Sequence, residues 1–328
     1  MSHPRVAQGT MAQVPPKQAG SVLCDLHLHS TNSDGLASPE EVIEFARRAG
    51  LSVMCISDHS CVTFTDPLRQ AAAGHGIAML PGLEISTTHR GHKYHVLAYG
   101  DGVLEASFAD FAFRPTAIKN DTYHSVLAEL RGEGARLPGD GEIMAGVRDD
   151  GPPRHPGKWM LSSTLIARYL APLTGMEVPT AAAMVKDRYN VLKDRVADRY
   201  VPTETTLTLA RAAGAIPVIA HPFWECRRGG NTWDGVLSDL RGFTGKGLAG
   251  MEVSSRHDSL ADEERRTLVA RQLGLVPFRS SDFHGNGKTE VGQFPMRAGD
   301  LIDAARRCGV DLSAAIQAVT GARKGEQA

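Results

Sequence analysis

The run from Ser21 to Ser60, SVLCDLHLHSTNSDGLASPEEVIEFARRAGLSVMCISDHS, holds one complete strand–helix–strand unit. The apolar stretch before Asp25 reads as a short strand, and LSVMCIS (51–57) reads as a second, buried one. Between them Ser38 stands as N-cap, Pro39 takes the first helical position and Glu41 completes a capping box. Val42, Phe45, Ala46 and Ala49 fall on one helical face, and Gly50 supplies the stop. Both strands run into ionisable residues: His27, His29 and Asp34 follow the first, Asp58 and His59 the second. Three readings of that crowding are open: a metal site, a hydrogen-bonded turn, or chance in a chain with 13 histidines.

The same rhythm continues downstream. TDPLRQAAAGHG repeats the cap-and-proline opening at Asp66 and Pro67, IAMLPGLEIS carries Glu84, and KYHVLAYG carries His95. AIPVIAHP ends at His221, LAGMEVSS gives another strand, and LVPFRSSDFHG ends at Asp282 and His284. Seven strand candidates lie near residues 24, 55, 83, 96, 218, 252 and 278. Apolar strands that do not alternate, separated by helices, indicate a parallel sheet buried on both faces. Seven such units predict an α/β fold with a seven-stranded (β/α) barrel. The gap between His95 and His221 breaks the rhythm with helix-like and Gly/Pro-rich segments. The expected organisation is a loose tail over 1–20, a barrel over 21–101 and 206–328, and a mainly helical insertion over 102–205.

Composition narrows the class. Lys+Arg 36 against Asp+Glu 37 gives a net charge of -1, so no global basic field draws nucleic acid or an anionic membrane. No apolar stretch is long enough to span a bilayer, and residues 1–20 lack the apolar core of a signal peptide. The five cysteines form no C-x-x-C pair and read as reduced thiols of a cytoplasmic protein. No apolar stripe argues for an oligomer, which leaves the oligomeric state open.

The histidines and acids gather at the carboxyl ends of the expected strands, where a parallel barrel builds its active site. The period of two points His27 and His29 the same way, and likewise Asp282 and His284. Any one H-x-H is readily a turn. Packing, however, gives no reason for His27, His29, His59, Glu84, His95, His221, Asp282 and His284 all to stand at one end. Imidazole and carboxylate suit zinc, manganese or iron, so metal is the stronger reading.

These residues carry a resemblance. DLHLHSTNSDG, SDHS, PGLEIS, YHVLAYG, AHP and SDFHG resemble the ordered motifs of the PHP (polymerase and histidinol phosphatase) family of metal-dependent phosphoesterases, over residues 24–100 and 207–287. The resemblance implies a distorted seven-stranded (β/α) barrel with a trinuclear centre of two to three divalent ions. It assigns His27, His29, Glu84 and Asp282 to one metal, with Glu84 bridging to a second held by His95 and His221. Asp34, His59 and His284 would hold a third. The chemistry it implies is phosphatase action on a small organic phosphate ester by a metal-bridged hydroxide.

The proton for the leaving group is expected from His257, which follows the sixth strand at the same mouth. Asp25 and Asp58 read as acids that orient ligand imidazoles, and Asp58 could instead reach the substrate. Small-molecule phosphatases of the family grip phosphate with an Arg-Pro-His ahead of IAR; this chain has Ser163, Thr164 and Leu165 there. Arg154, His155 and Lys158 are candidate replacement cations and Trp159 a candidate stacking face, the alternative being a solvated basic loop. The competing functions are an amidohydrolase-type C–N hydrolase, a 5′-end nuclease and a metal-binding scaffold without catalysis.

Overall fold

The computed structural model describes residues 22–146, 160–193, 195, 199–227, 230–255, 262–285, 287–312 and 316. The tail over 1–20, the basic candidates Arg154 and Lys158, and His257 lie outside the described residues. The chain opens with β1 (Leu23–Leu28), α1 (Pro39–Ala49), β2 (Val53–Ile56), α2 (Asp66–Gly74) and β3 (Ala78–Met79). Helix α1 starts as the sequence dictates: Ser38 accepts from the Glu41 amide while Glu41 accepts from the Ser38 amide. It stops at Gly50, whose φ of 71° is left-handed. Helix α2 is capped by Thr65, so Asp66 sits inside its first turn and not at the cap.

Strands β4 (Gly82–His89) and β5 (His92–Tyr99) depart from the all-parallel expectation, because they pair antiparallel. The reason is local. Only Arg90 and Gly91 separate them, at φ 50° and 79°, and a two-residue turn with both φ positive makes a hairpin. A parallel crossover needs a dozen residues or more.

After a 3-10 turn (Asp101–Leu104), α3 (Ala106–Gly132) crosses from one core to another. Its Phe108, Phe111 and Ala112 pack with Leu83, Ile85 and Ala98 of the hairpin. Beyond Pro115, its Tyr123, Val126 and Leu127 pack with Ile166, Leu170, Ala181 and Val185. These come from α5 (Ser163–Thr174) and α6 (Val178–Lys193), which follow α4 (Asp140–Gly146). Helix α7 (Thr203–Ala212) leads back to β6 (Ile216–Ala220), and α8 (Trp224–Arg227) and α9 (Trp233–Thr244) follow it. The chain continues through β7 (Gly250–Ser254), α10 (Glu263–Gln272), β8 (Val276–Arg279), β9 (Met296–Arg297) and α11 (Ala298–Cys308).

The strands form two sheets, ordered β3-β2-β1-β9 and β4-β5-β6-β7-β8, and not one continuous closed sheet. The first is parallel apart from β9; the second turns parallel at β6-β7-β8. Alternate residues of both sheets meet in a shared interior: Cys24 and Leu26, Val53 and Cys55, Leu97 and Tyr99, Val218 and Phe278. Leu301, Ala304 and Ala305 of α11 join that core. Isolated parallel bridges, Leu28 with Phe283 and His59 with Glu84, link the sheets at the carboxyl ends of β1 and β2. Among the described residues no helix is long and apolar enough to cross a membrane.

Candidate metal centre

The link between the sheets is where the candidate ligands meet. Strand β1 delivers His27 and His29 to one side, with ring centroids 5.0 Å apart. The chain then folds back on itself. The Gly35 amide donates to the Ser30 carbonyl, and a Cβ on Gly35 would stand 2.5 Å from the His29 carbonyl oxygen. Only glycine fits that approach, and it returns Asp34 towards the His29 ring, 3.7 Å from Nδ1.

Glu84 is the hub. Its Oε2 lies 3.3 Å from His27 Nε2, 3.2 Å from His29 Nε2 and 3.2 Å from His59 Nδ1. Its Oε1 lies 2.5 Å from His95 Nδ1 and 3.5 Å from His221 Nε2. Asp282 Oδ1 stands 3.3 Å from His27 Nε2, 3.4 Å from His29 Nε2 and 3.4 Å from His284 Nδ1. Asp34 reaches His284 Nε2 at 3.3 Å and His59 Nε2 at 3.7 Å. His59 thus turns one nitrogen to Glu84 and the other to Asp34. All nine residues expected to bind metal come together at one mouth.

Backbone strain marks the same place. Four described non-glycine residues have left-handed φ, and three are at the centre: Ser60 (56°), His221 (28°) and Asp282 (49°). Such conformations cost of order 1–3 kcal/mol each and persist where the surroundings fix them.

A layer of acids behind the ligands does the fixing. Glu252 accepts from His27 Nδ1 at 2.8 Å, from the His221 amide at 2.9 Å and from the Ser280 hydroxyl. Asp25 accepts from the amides of Ser281 (3.1 Å) and Gly292 (2.8 Å). Asp58 is fully buried and accepts from the Ser30 amide at 2.7 Å and from the hydroxyls of Ser30, Ser33 and Thr63. Its oxygens therefore face the Ser30–Ser33 loop and Thr63. No sequence pattern singled out Glu252; the one available signal is an acid inside the apolar strand GMEVS.

The donor atoms fit metal ions. Three sets lie within 4.8 Å of one another: His29, Asp34, His59 and His284; His27, His29 and Glu84; His59, Glu84 and His95. His27 Nε2, His29 Nε2 and His59 Nδ1 are buried without a hydrogen bond, which a folded protein rarely tolerates unless another partner is intended. Imidazole and carboxylate, with no thiolate, suit first-row divalent metals.

Electrostatics agree. Burial would raise the Glu84 pKa, yet His59, His95 and His27 hold it well below the usual range. Asp34 is lowered in the same way against burial, by His59 and His284. Burial favours a neutral His29, but Asp282 and Glu84 push its pKa up to about 10. Burial draws His59 down to about 4. The pocket keeps Glu84 and Asp34 ionised and asks for positive charge in return.

Known proteins resemble this chain. Residues 25–133 match the PHP domain. A 3′,5′-nucleoside bisphosphate phosphatase from Chromobacterium violaceum is 29% identical over 278 residues, covering 82% of this chain and 90% of that protein. The 5′-3′ exoribonuclease Rnm of Escherichia coli is 26% identical over 271 residues, covering 80% and 86%. An inferred metal-dependent phosphoesterase from Bifidobacterium adolescentis shares the fold at a TM-score of 0.67 and 23% identity, covering 88% and 97%. The PHP-domain match over residues 25–133 and these relatives together indicate a metal-dependent phosphoesterase, a hydrolase of phosphoric esters.

Proposed function

We propose that the chain is a phosphatase of a small organic phosphate ester, a nucleotide or sugar phosphate, working at a centre of two to three divalent ions (manganese, zinc or iron). The observation that carries the reading is Glu84, whose two oxygens divide five imidazoles between them. His27, His29, Glu84 and Asp282 would hold one ion, Glu84 with His95 and His221 a second, and Asp34, His59 and His284 a third. Ions bound there supply Lewis acidity at phosphate oxygens and a lowered pKa for water.

The protein's own side chains do the rest. Glu252 fixes the tautomer of His27 by accepting a hydrogen bond from its Nδ1–H, which leaves the Nε2 lone pair facing the centre. Asp58 ties Ser30 and Ser33 down and so holds the loop that presents Asp34. His257 is the proposed donor of a proton to the leaving oxygen, on its place in the sequence after β7. Arg154 and Lys158 keep their sequence-based place as candidate substrate cations.

The two sheets are read as halves of a distorted barrel, an idea supported by their shared interior and the two bridges at the mouth. Residues 102–205 are read as a helical insertion over that mouth. The cytoplasm is the proposed location, since all five cysteines are free thiols.

A second reading, a 5′-end ribonuclease, is favoured by the Escherichia coli relative's activity. The near-neutral charge speaks against broad nucleic-acid binding but not against a pocket for one RNA end. Phosphate release from a panel of nucleotide and sugar phosphates, with manganese or zinc added, is the expected outcome. Silence across that panel with progressive shortening of 5′-phosphorylated RNA would replace the phosphatase by the nuclease. Ammonia released from amides instead would replace both.

A further inference from the structure

Among the described residues, two imidazoles belong to more than one set of candidate donors, His29 and His59, and their surroundings differ. The Ser33 hydroxyl, which donates to Asp58, stands 3.4 Å from His29 Nδ1 and accepts a hydrogen bond from it. That commits His29 Nε2 to Glu84 and Asp282, at 3.2 and 3.4 Å. His59 has a carboxylate at each nitrogen instead. Its Nδ1 lies 3.2 Å from Glu84 Oε2 and its Nε2 3.7 Å from Asp34 Oδ2. Nδ1 is buried without a hydrogen bond, so nothing holds a proton there as Glu252 holds that of His27.

The His59 backbone, by contrast, is pinned. It forms a parallel bridge with Glu84, and the Ser60 amide donates to the Glu84 carbonyl at 2.7 Å. One ring is thus offered from a fixed point to two donor sets, one with Glu84 and His95, the other with Asp34 and His284. A neutral imidazole has one lone-pair nitrogen at a time, so it serves one ion or the other. The two ions need it unequally. Without His59 the ion at Glu84 keeps His95 and His221 as well, whereas the ion at Asp34 keeps only His284.

We propose that His59 is a switch ligand. At low metal it binds through Nδ1 to the ion of Glu84 and His95; as metal rises it passes, through Nε2, to the ion of Asp34 and His284. The ring proton balances the exchange. It sits on Nε2 facing Asp34 in the first state, and on Nδ1 facing Glu84 Oε2 in the second, so none is gained or lost. This rests on the metal-centre reading and deepens it with a form of regulation. The ion at Asp34 takes a ligand from its neighbour as it binds, and the two sites are reciprocally and negatively coupled.

The test is a zinc titration of the metal-free full chain labelled with 15N at histidine, reading the ring-nitrogen shifts by NMR. His59→Gln identifies the His59 signals by deleting them. The expected result is a metal-bound shift at His59 Nδ1 in the first additions that moves to Nε2 near saturation. Asp34→Asn, which weakens the receiving site, should leave Nδ1 bound at every zinc level, with the His27 and His29 shifts showing that the rest of the centre is intact. A His59 ring that stays bound through one nitrogen in wild type, binds through both at once, or never binds overturns the switch while zinc at His27 and His29 upholds the centre. If no histidine nitrogen takes up zinc, the metal-centre reading and the switch fail together.

Discussion

The centre has two halves that are built differently. His27 and His95 stand on β1 and β5, each with a strand on either side, and Glu84 stands on the edge strand β4, paired with β5 and bridged to His59. Glu84 and His27 are essentially sealed from solvent, at 1% and 0% side-chain exposure. Asp34, His59 and His284 stand on loops, and Asp34 is 33% exposed. The strand-borne half gets its geometry from sheet hydrogen bonds. The loop-borne half gets it from side chains, chiefly the buried carboxylate of Asp58 gripping Ser30, Ser33 and Thr63. The lesson is that one centre holds candidate ligands of unequal rigidity, so an ion held by the loop-borne set would be the first to be lost.

Three substitutions test that contrast. The largest effect is expected from Glu84→Gln, which removes a negative charge shared by five imidazoles. Loss of several kcal/mol of metal-based stabilisation corresponds to about a thousandfold or more in kcat. Metal analysis should show ions missing from the strand-borne half. Turnover within a few-fold of wild type would end the claim that Glu84 is the hub.

Asp58→Asn comes next. An amide nitrogen would face hydroxyl or amide donors that now meet a carboxylate oxygen. Metal titration should show affinity at the loop-borne site weaker by about 10- to 100-fold, with the strand-borne sites retained. Equal weakening everywhere would erase the distinction between the halves.

Gly35→Ala is the mildest. Its Cβ would press on the His29 carbonyl and the Ser30 amide, at 2.5 and 2.8 Å, and both are backbone. Thermal unfolding should report a loss of about 1–3 kcal/mol, the usual scale of overpacking. The metal lost first on dialysis should again be the loop-borne one. A variant as stable as wild type would mean the loop relaxes freely and Asp34 is not held by this turn.

Parts of this were legible in the chain. Ser38, Pro39, Glu41 and Gly50 specify α1 completely, because capping is a local interaction among residues a few positions apart. The hairpin was missed: apolar strands alone suggest a parallel partner, and the turn at Arg90-Gly91 that makes the pair antiparallel lacks the Asn-Gly or Asp-Gly that would announce it. Glu252 was not legible: its partners His27 and His221 are 225 and 31 residues away, so no spacing announces them.

The sequence by itself determined which residue types close each strand, and hence that imidazoles and carboxylates would gather at one end. Alternation with period two and short-range capping suffice for that. Only the tertiary structure decided which oxygen of Glu84 meets which imidazole, that Asp58 serves the loop bearing Asp34, and that Glu252 backs His27 and His221. Those are contacts between residues far apart in the chain. Strand register and the meeting of two sheets set them, and no local spacing encodes either one.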